Sequence, residues 1–175
     1  MTCRTAPVLI AMLPLFACGQ QGGHRASPHE TVAIDLKGDH ISISYGRPYL
    51  NGRKVGNQVA PYGQVWRLGA DAATKITVTT KTKIGDALEL DAGSYSLFAI
   101  PGAGKWTIIV NRIANQWGGF SYKESEDVGR FDVPVKAPSS PVEQFTITLT
   151  RRSDTTSDLT FAWGDASVAT TVKVM

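Results

Sequence analysis

Polar and apolar residues alternate along much of the chain after residue 29, and this period of two predicts β-strands. Residues 31–36 and 40–45 alternate in this way on either side of a Lys37-Gly38-Asp39 turn, which predicts a hairpin. Residues 74–80 are rich in β-branched side chains, as is typical of strands. Residues 106–110 are almost continuously apolar, which predicts a strand covered on both faces.

Further short runs of the same kind follow, and no window shows helical periodicity over three turns. Two long irregular stretches interrupt them, at residues 46–63 and 115–130. Many short strands joined by turns predict a single all-β domain, a β-sandwich or jelly-roll-like fold with two long loops. Residues 88–90 and 94–100, joined by a turn at Gly93, predict a second hairpin. Further strands are predicted at residues 131–135, 143–150, 159–163 and 167–174.

The amino-terminal residues have a different pattern. Arg4 is followed by an uncharged apolar stretch at residues 6–17, which predicts a secretory signal peptide. The stretch is shorter than the ~20 apolar residues that a spanning helix needs. It ends in Leu15-Phe16-Ala17-Cys18, which resembles the lipobox of bacterial lipoproteins, although Phe16 departs from the usual residue there. That resemblance implies a signal peptide at residues 1–18 and a lipid on Cys18.

The residues after Cys18 indicate a location. Gly19 stands where an aspartate commonly marks inner-membrane retention in such lipoproteins, so we expect an outer-membrane anchor facing the periplasm. Residues 19–28 are polar and glycine-rich, which predicts a flexible tether. The folded domain is then expected at residues 29–175. The alternative is an ordinary secretory signal and a soluble periplasmic or secreted protein.

Composition excludes several chemistries. Cys3 and Cys18 are the only cysteines, so we expect neither a disulfide nor thiol chemistry in the mature domain. The net charge of +3 comes from scattered residues, so nucleic acid is not an expected partner. The histidines, at positions 24, 29 and 40, lack ligand spacing on one element, so no metal site or cofactor is expected.

The densest group of chemically capable residues spans residues 45–74. Arginine binds carboxylate or phosphate in a bidentate way, and aromatic rings stack on sugars or pack as anchors. The candidate ligand-binding residues are Arg47, Arg53, Arg67, Asp71, Trp117 and Tyr122. If residues 65–68 are extended, Trp66 and Arg67 point to opposite faces. The alternative interpretation is that the arginines pair with Asp71 or with carbonyls and hold the loop against the domain.

An ordered set of motifs resembles domain-of-unknown-function family 2911. The match covers most of residues 27–174 and implies a secreted or lipoprotein-like bacterial protein, with no activity and no site residues attached. The motifs are SPHET at 27–31, YGRP at 45–48, NGRKV at 51–55, PYGQVWRLGADAAT at 61–74, AGSYSLFAIPG at 92–102, WTIIVN at 106–111, QWG at 116–118 and PVEQFTI at 141–147.

Three functions are compatible with these residues. The leading hypothesis is a binding module for a carbohydrate or an anionic small molecule. The second is a glycan hydrolase in which Asp71 and Glu124 or Glu126 act as acid and base. The third is a structural or assembly protein of the cell envelope, which predicts a large exposed apolar patch.

Overall fold

A computed structural model describes residues 27–86 and 88–175. The predicted signal peptide at residues 1–18, its Cys18 and residues 19–26 of the predicted tether lie outside the described residues. The last two tether residues are described. Ser27 is buried, and the Pro28 carbonyl accepts a hydrogen bond from the Arg47 amide at 2.8 Å.

The described residues form thirteen β-strands and one turn of 3₁₀ helix at Glu124–Glu126. They contain no α-helix, so the prediction of an all-β domain is confirmed. The strands are β1 (His29–Leu36), β2 (Asp39–Gly46), β3 (Val55–Gly56), β4 (Val59–Pro61), β5 (Thr74–Val78), β6 (Thr82–Ile84), β7 (Leu88–Leu90), β8 (Gly93–Ile100), β9 (Lys105–Asn111), β10 (Asp127–Lys136), β11 (Val142–Arg151), β12 (Thr156–Gly164) and β13 (Ala166–Val174).

Eleven of these strands belong to one large antiparallel sheet. Its main path runs β1-β2-β5-β8-β9-β10-β13-β12-β11, with β6 paired to β13 and to β7. The predicted hairpin of β1 and β2 is confirmed, with Ala33 opposite Ser42. The two short strands β3 and β4 form a separate parallel pair within the first irregular stretch.

The second predicted hairpin is wrong. Strand β7 pairs with β6, whereas β8 lies between β5 and β9, so the turn at Gly93 joins two different parts of the sheet. Alternation in sequence reports which face of a strand is buried and carries no information about its hydrogen-bonded neighbour. The other extended stretches were placed correctly, although β10 begins at Asp127, inside the predicted second loop.

The large sheet curls until its two ends meet. Strand β1 lies beside β11, and the Tyr45 hydroxyl accepts a hydrogen bond from the Ile147 amide at 2.9 Å. One apolar core fills the interior, and it takes side chains from all the long strands. Trp66 stacks on Trp163 at a centroid distance of 5.4 Å and meets Trp106 edge-on at 5.8 Å.

A smaller apolar cluster covers the outer face of β8 and β9. Phe98 and Ile109 are fully buried there, and Tyr122 packs on Phe98 at a centroid distance of 4.9 Å. Tyr122 belongs to the loop that joins β9 to β10, so this loop covers the sheet from outside. Strand β9 is therefore buried on both faces, as its apolar run predicts.

No helix among the described residues has the length and apolar character required to cross a membrane.

Candidate functional site

A cleft of about 500 Å³ lies where the segment after β2 meets the segment that precedes β5. We call it the arginine cleft, because Arg53 and Arg67 both line its wall. Asp71 and Ser27 lie on the same wall, and the buried indole of Trp66 forms part of its floor. Three of the six candidate ligand-binding residues, Arg53, Arg67 and Asp71, thus share one cavity.

Backbone pairing positions Arg67 at the cleft. The amide and carbonyl of Trp66 exchange hydrogen bonds with Ala99, at 2.7 and 2.9 Å, which holds this segment extended beside β8. Trp66 and Leu68 therefore face the core, and Arg67 between them faces the other way. Trp66 and Arg67 are nevertheless not separated into different sites, since both line the arginine cleft.

One nitrogen of the Arg67 guanidinium, the Nε atom, is buried without a hydrogen-bond partner among the described residues. None of the ion pairs found among residues 27–86 and 88–175 includes Arg67. A buried N–H group without an acceptor is costly, because it has lost the water that would otherwise solvate it.

A tight turn holds Asp71 next to the cleft. Leu68 and Asp71 both have positive φ, at 53° and 62°, a conformation that aspartate tolerates better than leucine does. The Thr74 hydroxyl donates to the Leu68 carbonyl at 2.5 Å and ties the turn to β5. The Asp71 carboxylate contacts His29 Nε2 at 2.9 Å, across 42 residues of sequence.

Sequence reasoning missed the role of His29, because its partner is distant in the chain. No local pattern linked His29 to Asp71, which lies 42 residues away. The Asp71 carboxylate pairs with this histidine and with no arginine of the described residues.

Arg53 binds its own loop. Its Nε donates to the Leu50 carbonyl and its Nη2 to the Tyr49 carbonyl, both at 2.9 Å. These two bonds orient the guanidinium at the rim of the arginine cleft. Because a guanidinium carries five N–H donors, Arg53 retains donors beyond these two.

Arg47 is held by the fold itself. Its Nη1 pairs with Glu30 at 2.6 Å, its Nε donates to the Phe145 carbonyl at 3.2 Å, and its Nη2 donates to Thr146 Oγ1 at 2.9 Å. These contacts join β1, the end of β2 and β11. For Arg47 and Arg53 the structure thus has the carbonyl contacts of the alternative interpretation.

Trp117 lies at a neighbouring pocket of about 320 Å³, which His29 and Lys75 also line. Its side chain is 72% exposed. The residue pairs with Ala72 through a β-bridge, so it approaches Asp71 through the backbone and not through its ring. The segment from Gly69 to Ala73 separates this pocket from the arginine cleft.

Tyr122 lies away from both cavities. Its hydroxyl donates to Asp127 Oδ2 at 2.7 Å and accepts from Arg130 Nη2 at 2.6 Å. Burial, followed by the hydrogen bond to the Asp127 carboxylate, raises the pKa of Tyr122 to about 12. Its ring and its hydroxyl both hold the β9–β10 loop in place.

The carboxylates considered for hydrolysis are separately paired. Glu124 contacts Arg130 at 3.1 Å and Glu126 contacts Arg112 at 3.4 Å, while Asp71 contacts His29. Glu124 and Glu126 do not line the arginine cleft. Over the described ranges, no group of three or more histidine, cysteine, aspartate or glutamate side chains could hold a metal ion.

Comparison with known proteins identifies the family. No curated protein and no solved structure matches the chain. Residues 27–172 match the family model described as a protein of unknown function, DUF2911. That match covers nearly all of the described β domain, including both walls of the arginine cleft and the β9–β10 loop. The chain therefore belongs to the DUF2911 family.

Proposed function

We propose that this domain is a binding module whose arginine cleft takes an anionic small molecule. The observation that carries the proposal is the state of Arg67, which lines the cleft with a buried Nε and no protein partner in the described chain. A ligand carboxylate or phosphate oxygen would supply the missing acceptor, and a planar guanidinium binds such groups in a bidentate way.

Other residues of the cleft support a polar ligand. Arg53 is oriented by two carbonyls at the rim, and the side chains of Asn51 and Gln64 add neutral hydrogen-bonding groups. The Asp71 carboxylate also lines the cleft and is hydrogen-bonded to His29 Nε2 at 2.9 Å. The buried Trp66 supplies an apolar floor. A few convergent polar groups over an apolar surface are typical of small-molecule sites.

A binding experiment with matched arginine variants tests the proposal. Isothermal titration calorimetry would compare inorganic phosphate, citrate and glucuronate with neutral glucose. We expect Arg67→Gln to weaken binding of an anion at least tenfold, since the charge-assisted pair contributes about 1.5–3 kcal/mol. The matched control is Arg152→Gln, because Arg152 is paired with Asp158 in a turn outside the cleft.

The outcomes separate the ligand classes. Anion binding that Arg67→Gln leaves unchanged would contradict the cleft assignment. Binding of neutral glucose that depends on Trp117 and not on Arg67 would favour the carbohydrate alternative at the neighbouring pocket. The hydrolase alternative lacks a comparable observation, because its carboxylates are each engaged by a different basic residue.

The location of the domain is a second part of the proposal. The apolar stretch at residues 6–17 and the lipobox-like sequence ending at Cys18 support export and lipid attachment, with an outer-membrane anchor facing the periplasm. Metabolic labelling with radioactive palmitate tests this. We expect label in the wild-type chain and none in Cys18→Ala. Equal labelling of both chains, or of neither, would contradict lipidation at Cys18.

A further inference from the structure

Two large aromatic side chains are exposed in the middle of the β9–β10 loop. Trp117 is 72% exposed and Phe120 is 100% exposed. We call residues 117–120 the aromatic tip. Single exposed apolar side chains are common, whereas two strongly exposed aromatic side chains three residues apart give this loop a marked apolar character.

The aromatic tip is braced from both sides. Before it, Gln116 is buried and its Nε2 donates to Asn111 Oδ1 and to the Ile113 carbonyl, both at 2.8 Å. After it, the Tyr122 hydroxyl bonds Asp127 and Arg130. These contacts fix the base of the loop on the sheet. Exposure of the two rings therefore belongs to the folded loop and does not result from fraying.

The amino-terminal segment joins the domain beside this tip. The Gly118 amide donates to the Asp71 carbonyl at 3.1 Å, and the Asp71 carboxylate contacts His29 at the start of β1. Ser27 and Asp71 line the same cleft. Residues 1–26 therefore connect to the domain at the end that carries the aromatic tip. Eight residues lie between Cys18 and Ser27, so these two residues can be at most ~30 Å apart.

We propose that the aromatic tip inserts into the interfacial region of a lipid bilayer, with Trp117 and Phe120 as the inserting side chains. Aromatic rings partition favourably into the headgroup region of bilayers. Insertion would orient the domain with β1 and the tip toward the membrane. The inference concerns a surface of the domain and does not depend on the proposed anion site.

Charge near the tip predicts the kind of lipid surface. Arg112 is paired with Glu126, and Lys123 stands next to Glu124 in sequence, so the loop carries no excess of positive charge. Apolar burial should therefore dominate the binding, and anionic lipid should not be required. We expect binding to phosphatidylcholine vesicles that changes little with salt, because screening weakens only the electrostatic part.

The tryptophans of the chain provide a residue-specific test. Of the four, Trp66, Trp106 and Trp163 are buried, so lipid can reach only Trp117. The probe is a phosphatidylcholine vesicle with brominated acyl chains, added to the full chain and to the full-length Cys18→Ala variant. Bromine quenches a tryptophan that inserts. The Trp117→Phe variant reports the fluorescence of the three buried tryptophans alone and so gives the baseline.

We expect quenching and a blue shift of the Trp117 emission in both chains. Phe120→Ser should lower partitioning about tenfold, on the scale of one exposed aromatic ring removed from contact with lipid. Phe120 lines neither cavity, so this variant should bind anions normally, and failure of one proposal is distinguishable from failure of the other.

Two results would overturn the inference. One is vesicle binding with no quenching above the Trp117→Phe baseline, which would mean that the amino-terminal segment alone holds the protein at the membrane. The other is an emission of Trp117 that remains unchanged by vesicles of any lipid composition. That outcome would leave the aromatic tip as a surface for a protein partner and would favour the envelope-assembly hypothesis.

Discussion

The hydroxyl of Tyr45 spans the meeting point of the two sheet ends, where it accepts from the Ile147 amide at 2.9 Å and donates to the Ile147 carbonyl at 3.4 Å. Burial is the main cause of the raised pKa of this tyrosine, so its hydroxyl remains a neutral donor and acceptor. One side chain thus satisfies both backbone groups of a residue 102 positions away. These two bonds take the place of a backbone–backbone hydrogen-bonded pair between the two sheet ends.

Tyr45→Phe is expected to destabilise the fold. It leaves the buried amide and carbonyl of Ile147 without this partner, which costs about 1–3 kcal/mol. Urea unfolding followed by circular dichroism would measure the loss. The matched control is Tyr95→Phe, because the Tyr95 hydroxyl donates to the Asp91 carbonyl at an exposed position where water replaces it. Equal losses for the two variants would contradict a special role for Tyr45.

Gly46→Ala is expected to distort the turn that carries Asp71. A Cβ atom at Gly46 would lie 2.3 Å from the Ala70 carbonyl oxygen, and this backbone atom cannot rotate away. We expect destabilisation of about 1–3 kcal/mol, as for other overpacked sites. Gly104→Ala is the control, since a Cβ there meets nothing within 4 Å. Urea unfolding would measure the stability of the two variants. A Gly46 variant as stable as the control would be evidence against this close approach.

The ionisation of Tyr122 is expected to make stability depend on alkaline pH. Its folded pKa, about 12, lies above the ordinary value of 10.0, so between these values the unfolded chain has lost a proton that the folded chain retains. The contribution is therefore fully present below pH 10 and is lost as the pH rises through 12. Tyrosinate absorbance at 295 nm should show one late transition beyond that of Tyr45, whose pKa is also raised, and Tyr122→Phe should remove it. If the variant keeps that transition, the assignment to Tyr122 is wrong.

Asp132 is expected to contribute to acid sensitivity. Hydrogen bonds from Lys105 Nζ at 2.5 Å and from Thr107 Oγ1 at 2.6 Å lower the pKa of its carboxyl. A lowered folded pKa stabilises the fold above the unfolded value, and this contribution is lost as the pH falls through the folded pKa. Asp132→Asn should flatten the fall of the melting temperature below about pH 4.

Because Asp132 is exposed, the change should be small and should shrink in 1 M salt. A variant whose melting temperature falls with pH as steeply as that of the wild type would exclude a contribution from this carboxyl.

Much of the strand pattern is encoded in local sequence. The alternation at residues 31–36 and 40–45 and the turn at Gly38 predict β1 and β2, because burying one face of a strand requires a period of two. The apolar run at residues 106–110 likewise predicts a strand covered on both faces. The sequence did not predict the start of β10 at Asp127, because this polar residue bonds Asn111 and Tyr122 and does not face the core.

The candidate site depended on contacts that no local pattern contains. Three arginines in one stretch of sequence have different environments: Arg47 is paired with Glu30, Arg53 binds nearby carbonyls, and Arg67 has no partner in the described chain. Residue type and charge, which are all that the sequence provides, could not rank these arginines, since each guanidinium has the same donors. For Arg47 and Arg53, the distance along the chain to a partner ranges from 3 residues to 99.

The sequence by itself determined the all-β class, the buried faces of most strands and membership of the DUF2911 family. Tertiary structure alone decided that β7 pairs with β6, that His29 meets Asp71 and that Trp117 and Phe120 project together. The physical reason is that periodicity reports burial one residue at a time. The partner of each strand and each charge is set by burial and hydrogen bonding over the whole chain.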